Sequence, residues 1–82
     1  MLTMKSCPLE LRGAISKQTK NGKLYVLLNC ETDVGEHYQF YSGDPNIVTP
    51  DLKKGDKVVL VFAYSVYDKQ ERLSVIGIDK VE

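Results

Sequence analysis

Four basic side chains and a tyrosine lie in a stretch of sequence that contains no acidic residue. The stretch covers residues 11–30, and its basic residues are Arg12, Lys17, Lys20 and Lys23. Tyr25 follows two residues after the last of them. Ammonium and guanidinium groups bind phosphate oxygens, and the face of a tyrosine ring stacks on a nucleobase. The combination predicts a surface for an anionic ligand with unpaired bases. The competing interpretation is a solvated hairpin whose lysines keep a strand edge soluble.

The residues that follow make the charge distribution uneven. Residues 31–51 contain five carboxylates and neither lysine nor arginine. The whole chain has 11 basic and 11 acidic residues, so its formal net charge is zero and its field is dipolar. A basic patch can therefore be only local, and we expect it around Tyr25.

Alternation along the strand that contains Tyr25 predicts which side chains point outward. Residues 26, 28 and 30 are apolar and share one face, which we assign to the core. This assignment leaves Tyr25 and Leu27 on the outer surface, where a ligand can reach them.

Four residues further along the chain are candidates to extend this surface. They are Tyr41, Tyr67, Lys69 and Arg72. Tyr41 alternates with two other aromatic residues in a short strand, so the sequence leaves open which of them faces outward. Tyr67 precedes a turn that carries positive charge. With Ile76 and Ile78, which we expect to face outward, Tyr67 equally fits a dimer patch.

The sequence contains too few histidine and cysteine residues to suggest a catalytic site or a metal site. His37 is the one histidine, and no serine or cysteine nucleophile accompanies it in a recognisable motif. Together with Cys7 and Cys30 it cannot complete a tetrahedral zinc site without carboxylates. We therefore expect no enzymatic activity, no catalytic or metal-binding residue, no cofactor and no small-molecule substrate. Both thiols are expected to be free and buried.

The chain is long enough for one small domain. Its 82 residues are 43% apolar and 27% charged, a composition typical of globular proteins. Residues 1–8 lack the apolar run of a secretory signal and are expected to form a loosely ordered arm. The longest apolar run, residues 58–64, is far shorter than the ~18 residues that cross a bilayer. These observations predict a single domain of residues 1–82, a cytoplasmic location and no membrane partner.

Apolar and polar residues alternate with a period of two in four segments, and a fifth segment, residues 58–64, is apolar on both faces, as expected of a central strand. Together they predict five strands. Their expected ranges are residues 9–19, 24–31, 37–42, 58–64 and 73–81. Asn21 and Gly22 predict a hairpin with a type I′ turn. Gly13, on the apolar side of the first strand, predicts a bulge or bend. Residues 49–55 predict one helical turn before the fourth strand, with Thr49 as its N-cap and Pro50 at the first helical position.

Five short strands without a long helix predict an all-β fold that closes into a small barrel, because closure removes exposed edges. An oligonucleotide-binding (OB) fold and an SH3-like barrel both fit this description. The long first strand with its glycine, the hairpin after it and the connection before the fourth strand favour the OB-fold-like barrel.

Four short stretches carry a recognisable layout. They are Gly13-Ala14-Ile15-Ser16-Lys17, Asn21-Gly22-Lys23-Leu24-Tyr25, Lys54-Gly55-Asp56-Lys57-Val58 and Leu73-Ser74-Val75-Ile76. The layout resembles OB-fold proteins that bind single-stranded DNA. Chain length and the Gly-Lys-x-Tyr motif at residues 22–25 are most similar to the small proteins of filamentous phages and mobile elements.

This resemblance implies functions for individual residues. Tyr25 is expected to stack on a base, and Lys17 and Lys23 are expected to contact phosphates. The protein is then a homodimer that binds single-stranded DNA without sequence specificity during replication or transfer of the element. RNA stays open as the ligand. The alternative function is a protein-interaction or assembly subunit without nucleic-acid binding.

Overall fold

The protein, seen in a computed structural model that describes residues 2–81, is built from six strands. They are β1 (Leu2–Lys5), β2 (Leu9–Gln18), β3 (Leu24–Glu31), β4 (His37–Ser42), β5 (Lys57–Tyr67) and β6 (Gln70–Lys80). All strand pairs are antiparallel and belong to one sheet, and this range contains no helix. The predicted all-β class is confirmed. β1 lies in the segment expected to form a loosely ordered arm.

β5 organises the sheet. β6 pairs along nearly all of β5, so β1 and β2 share its other edge, β2 at the Lys57 end and β1 at the Tyr64 end. The sheet continues from β2 through β3 to β4. β4 then approaches β6, where the Ser42 hydroxyl donates a 2.7 Å hydrogen bond to the carbonyl oxygen of Val75. The sheet is curled, but within residues 2–81 no ladder between β4 and β6 closes it.

Alternate side chains of β2, β3, β5 and β6 fill the inside of the curl. Leu28, Val58, Leu60 and Val75 are almost completely buried. Ile47, from the connection between β4 and β5, adds to this core. Each such aliphatic side chain stabilises the fold by about 1.5–3 kcal/mol when it leaves water. One face of β3 is thereby committed to the core, and the opposite face is left for other contacts.

A bulge in β2 reverses the faces of that strand partway along. The register with β3 shifts between Leu11 and Gly13, which makes Arg12 the extra residue. Leu11 is buried, whereas Gly13 and Ile15 lie on the opposite face, with Ile15 45% exposed. The bulge predicted at Gly13 is confirmed. Its placement on the apolar side was wrong, because one extra residue shifts a period-two pattern by one position.

A second bulge, in β6, changes which isoleucine faces the core. Ile76 is the extra residue between Val75 and Gly77 and is exposed. Ile78 returns to the inner side, pairs with Leu60 and packs against the core. The prediction that both isoleucines face outward was therefore wrong for Ile78.

The loop between β2 and β3 confirms the predicted hairpin but not its turn type. Thr19 accepts a hydrogen bond at its carbonyl from Gly22, and its N–H donates to the carbonyl of Lys23. Gly22 has a φ of 81°, whereas Asn21 is outside the positive-φ region. These are the features of a three-residue loop in which a type I turn is followed by a glycine bulge. Residues 32–36 repeat the same arrangement.

Positive φ at two successive residues, which a type I′ turn requires, occurs instead between β5 and β6. Asp68 and Lys69 have φ values of 51° and 62° and join the paired residues Tyr67 and Gln70. Neither residue is glycine, so the sequence signal for this turn is weak.

The helical turn predicted at residues 49–55 does not form. The N–H of Leu52 donates to the carbonyl of Thr49, and the N–H of Asp56 donates to the carbonyl of Lys53, which makes two successive β-turns. Side chains support both turns. A hydrogen bond from the Thr49 hydroxyl lowers the pKa of Asp51, and one from the backbone N–H of Lys53 lowers the pKa of Asp56.

The two cysteines are free thiols in different environments. Cys30 is buried in the core, and this burial raises its pKa to about 11. Cys7 is exposed between β1 and β2. The expectation of two free thiols is confirmed, but the expected burial of Cys7 was wrong, because Cys7 lies outside the strands that enclose the core.

Candidate nucleic-acid interface

The face of β2, β3 and β4 that points away from the core carries several of the predicted site residues. We call it the outer face. Its cross-strand rows are Lys17 with Tyr25; Ile15 and Tyr41 with Leu27; Gly13 and Gln39 with Asn29; and His37 with Glu31. Successive rows are about 7 Å apart, because neighbouring side chains on one face of a strand are two residues apart.

Tyr25 and Tyr41 form the aromatic part of the outer face. Their ring centroids are 5.5 Å apart, and the ring planes are inclined by 36°. Tyr25 is half-buried and Tyr41 is 44% exposed. Of the three aromatic residues of β4, Tyr41 is the one that faces outward, beside Tyr25. Tyr38 and Phe40 lie on the other side of β4. Two rings are therefore available together on one surface.

Three lysines are grouped around the Tyr25 end of the outer face. Lys17 lies directly opposite Tyr25 on β2. Lys20 and Lys23 are exposed in the loop that joins β2 to β3. None of the three takes part in an ion pair with the rest of the described chain. Their charges are therefore free to meet an anion.

Arg12 lies at the opposite end of the outer face, between two carboxylates. Its Nη1 is 3.4 Å from Glu10 Oε1, and its Nε is 3.5 Å from Glu31 Oε2. Pairs as exposed as these add little stability, but they compensate the guanidinium charge. The structure thus separates Arg12 from the three lysines with which the sequence grouped it. The outer face is positive at its Tyr25 end and acidic at its Glu31 end.

A cleft of about 550 Å³ opens beside Tyr41, where β4 approaches β6. Arg72 and Ser74 of β6 contribute to its wall, so Arg72 lies on the same side of the molecule as the aromatic pair. Glu71 also lines this cleft. A hydrogen bond to Glu71 raises the pKa of Tyr64. The cleft thus holds one cation and one carboxylate next to the outer face.

Tyr67 and Lys69 lie at the tip of the β5–β6 hairpin. Tyr67 is 74% exposed, and Lys69 occupies the turn. Neither residue belongs to the outer face of β2 to β4. Leu27, in contrast, is on that face, half-buried between Ile15 and Tyr41.

Three aliphatic or amide side chains on the outer face were not among the predicted site residues. They are Ile15, Asn29 and Gln39. Ile15 continues the alternation of Leu9 and Leu11 in the sequence, and this pattern alone gives it the apolar side of the strand together with Gly13. Gly13 gave the signal for the bulge that moves Ile15 outward, but not the direction of the shift. Asn29 was identifiable as a polar residue that shares a face of β3 with Tyr25 and Leu27.

Within residues 2–81, no three histidine, cysteine or carboxylate side chains come together in a group. His37 is exposed and lies opposite Glu31 on the outer face. Over the same residues, no helix has the length and apolar character needed to span a membrane.

Comparison with known proteins identifies no relative. No protein-family model, no curated protein and no solved structure matches this chain. The geometry and charge of the outer face are therefore the basis on which a function is proposed.

Proposed function

We propose that this protein binds single-stranded DNA, without base specificity, on its outer face. The observation that carries the proposal is the position of Tyr25, whose ring points away from the core, lies 5.5 Å from Tyr41 and has Lys17 opposite it. Stacking of a base on an aromatic side chain contributes about 1–3 kcal/mol, and every base has a face that can stack. Duplex DNA keeps these faces covered by neighbouring base pairs, whereas a single strand exposes them.

The charge gradient along the outer face favours one path for the strand. Phosphates are attracted to the lysines at the Tyr25 end and repelled by Glu31 and Glu10 at the other end. A strand that crosses β3 and β4 over Tyr25 and Tyr41 stays in the positive region and then meets Arg72 in the neighbouring cleft. In this proposal Arg12 forms ion pairs with Glu10 and Glu31 at the acidic end, and the three lysines make the phosphate contacts.

The pairing of the strands supports an OB-fold barrel as the architecture. The bent unit of β1 and β2 pairs with both β3 and β5, β4 follows β3, and β6 follows β5. If β1 and β2 are counted as one bent strand, the sheet has five strands, and this order of pairing is the one expected of an OB fold. The barrel is open between β4 and β6, which touch without forming a ladder. OB folds bind oligonucleotides on the face of their second and third strands and on the loops at its border. The corresponding elements here are β3 and β4, the loop at residues 19–23 and the turn at Asp68 and Lys69.

The biological setting is proposed from the resemblance described above. It places the protein in the cytoplasm as a non-catalytic homodimer that coats single-stranded DNA during replication or transfer of a phage or mobile element. Competition between a DNA oligomer and an RNA oligomer of the same sequence for the protein would show which of the two it binds more tightly.

The proposal is tested by titrating the protein with a short thymidine oligomer at several salt concentrations and following tyrosine fluorescence. The chain has five tyrosines and no tryptophan, so tyrosine dominates the signal. Stacking should quench the fluorescence. Three phosphates neutralised by the three lysines should give a slope of log affinity against log salt of about −2. A duplex of the same length is the control and should bind more weakly. Absence of quenching at low salt would refute the proposal.

An apolar cleft on the other side of the sheet supports the alternative function. Its volume is about 490 Å³, and its walls include Met4, Tyr38, Phe62 and Leu73. Exposed apolar surface of this kind is typical of contacts between proteins. If oligonucleotides do not bind, a protein-interaction or assembly subunit becomes the better proposal. Loss of self-association or partner binding in Leu73→Lys would then test it.

A further inference from the structure

One row of the outer face is polar and open. Asn29 on β3 lies between Gly13 on β2 and Gln39 on β4, next to the row that contains Leu27 and Tyr41. A Cβ atom built onto Gly13 would have no neighbouring atom within 4 Å. The glycine therefore leaves a shallow space beside Asn29, bordered along β2 by Ile15.

The side-chain amides of Asn29 and Gln39 are hydrogen-bonded to each other, and each has a polar group that this bond does not use. Gln39 Nε2 donates a 3.1 Å hydrogen bond to Asn29 Oδ1. An amide has two donor hydrogens and an acceptor oxygen, so this one bond leaves the amino group of Asn29 and the carbonyl oxygen of Gln39 free to bind further groups. The row that begins at the glycine space thus offers one free donor on Asn29 and one free acceptor on Gln39.

Rotation of both amides by 180° preserves their mutual hydrogen bond and exchanges the roles. Asn29 then donates to Gln39, and the unused pair consists of the Asn29 oxygen and the Gln39 amino group. Thymine and guanine offer an acceptor followed by a donor on their Watson–Crick edges, and cytosine and adenine offer the reverse order. One orientation of the amide pair suits the first two bases, and the other orientation suits the second two.

We propose that Asn29, Gln39 and the space over Gly13 form a base-edge subsite that accepts any unpaired nucleobase. This inference rests on the proposed function and deepens it. The subsite holds the base adjacent to the one stacked on Tyr25 and Tyr41. This row lies about 7 Å from the row of Leu27 and Tyr41, so a base reaches it while the phosphates of the crossing strand stay at the positive Tyr25 end. Because the pair rotates as a unit, it adds affinity without selecting a base.

The test is a double variant that removes the polar groups and keeps the shape, Asn29→Leu with Gln39→Met. Binding of fluorescein-labelled thymidine and cytidine oligomers is measured by anisotropy, together with an oligomer of equal length in which the bases are replaced by abasic sites. Asn46→Leu, at an exposed position in the connection between β4 and β5 that is not part of the outer face, is the control. Circular dichroism and a urea midpoint establish that each variant is folded.

Loss of two hydrogen bonds of ordinary net strength should weaken binding of both base-containing oligomers about 30-fold. The abasic oligomer and the salt dependence should be unaffected, and the control should bind like the wild type. Gly13→Val fills the space and leaves both amides chemically unchanged, at a position where φ is not positive. This variant should weaken the binding of the same two oligomers.

Each other outcome has a distinct meaning. If the double variant binds as tightly as the wild type, the subsite is refuted and the proposed function stands. If the double variant loses affinity for the abasic oligomer to the same extent, the row supports the sheet and does not read base edges, which also refutes the inference. A marked preference of the wild type for thymidine over cytidine would refute the rotating pair. Failure of the wild type to bind any oligomer would refute the proposed function itself.

Discussion

Replacing Tyr25 by leucine is the most informative single change in this protein. Leucine keeps an apolar side chain against Leu27 but removes the ring on which we propose that a base stacks. The expected loss is the stacking contribution of one base, about 1–3 kcal/mol, which weakens binding about 5- to 150-fold. The salt dependence should stay unchanged, because no charge is altered.

The structure supplies a matched control for this change. Tyr38 is also a partly exposed tyrosine with one ring neighbour, since its centroid is 6.0 Å from that of Phe40, but it lies on the other side of β4. Each replacement breaks one aromatic pair, which costs about 0.5–1.5 kcal/mol of stability. Tyr25→Leu and Tyr38→Leu should therefore unfold at similar urea concentrations. Only the first should bind single-stranded DNA less tightly.

The assay is fluorescence anisotropy of a labelled thymidine oligomer at low salt, with both variants and the wild type measured side by side. Tyr25→Phe is a further test and should bind almost like the wild type, because its ring is retained. If Tyr25→Leu binds within about twofold of the wild type, or Tyr38→Leu is weakened equally, the ring of Tyr25 is not the stacking surface.

Four further predictions address charge, the thiols and the core. Lys17→Gln should reduce the steepness of the salt dependence by about 0.7, whereas Lys54→Gln in the connection before β5 should leave it unchanged, as measured by titrations over a salt series. At pH 8 a thiol reagent should modify Cys7 in the folded protein and Cys30 only after unfolding, because a pKa of about 11 in place of 9.0 makes the Cys30 thiolate about 100-fold scarcer. Because the pKa of Cys30 is higher in the folded protein than in the unfolded chain, the free energy of unfolding should fall as pH rises from 9 towards 11. Cys30→Ala should lack this part of the decrease. Equal decreases in the variant and the wild type would contradict the prediction. Leu28→Ala should lower the free energy of unfolding by about 2–5 kcal/mol in urea denaturation, and a much smaller loss would show that the core is not packed around β3.

The strand pattern was readable from the sequence because it depends on local properties of the chain. Residues 24–31 and 37–42 were predicted with the bounds that the structure has. Alternation along the first of these segments was enough to turn Tyr25 and Leu27 outward, since the core face was claimed by their neighbours. The hairpin at Asn21 and Gly22 was also predictable, although not the type of its turn.

Other features of the outer face depended on the tertiary structure. The bulge at Arg12 moved Ile15 and Lys17 onto the face of Tyr25, and the direction of that shift depends on the register with β3. The compensation of Arg12 by Glu10 and Glu31 likewise depends on which strands are neighbours.

The sequence by itself thus determined which segments are extended and, in β3, which side of the strand is apolar, because both follow from successive residues along one chain. Only the tertiary structure decided which side chains of different strands share a surface. Tyr41 joins Tyr25, and Gln39 joins Asn29, because β4 pairs with β3 in one particular register. A shift of that register by one residue would turn both β4 side chains to the opposite face of the sheet.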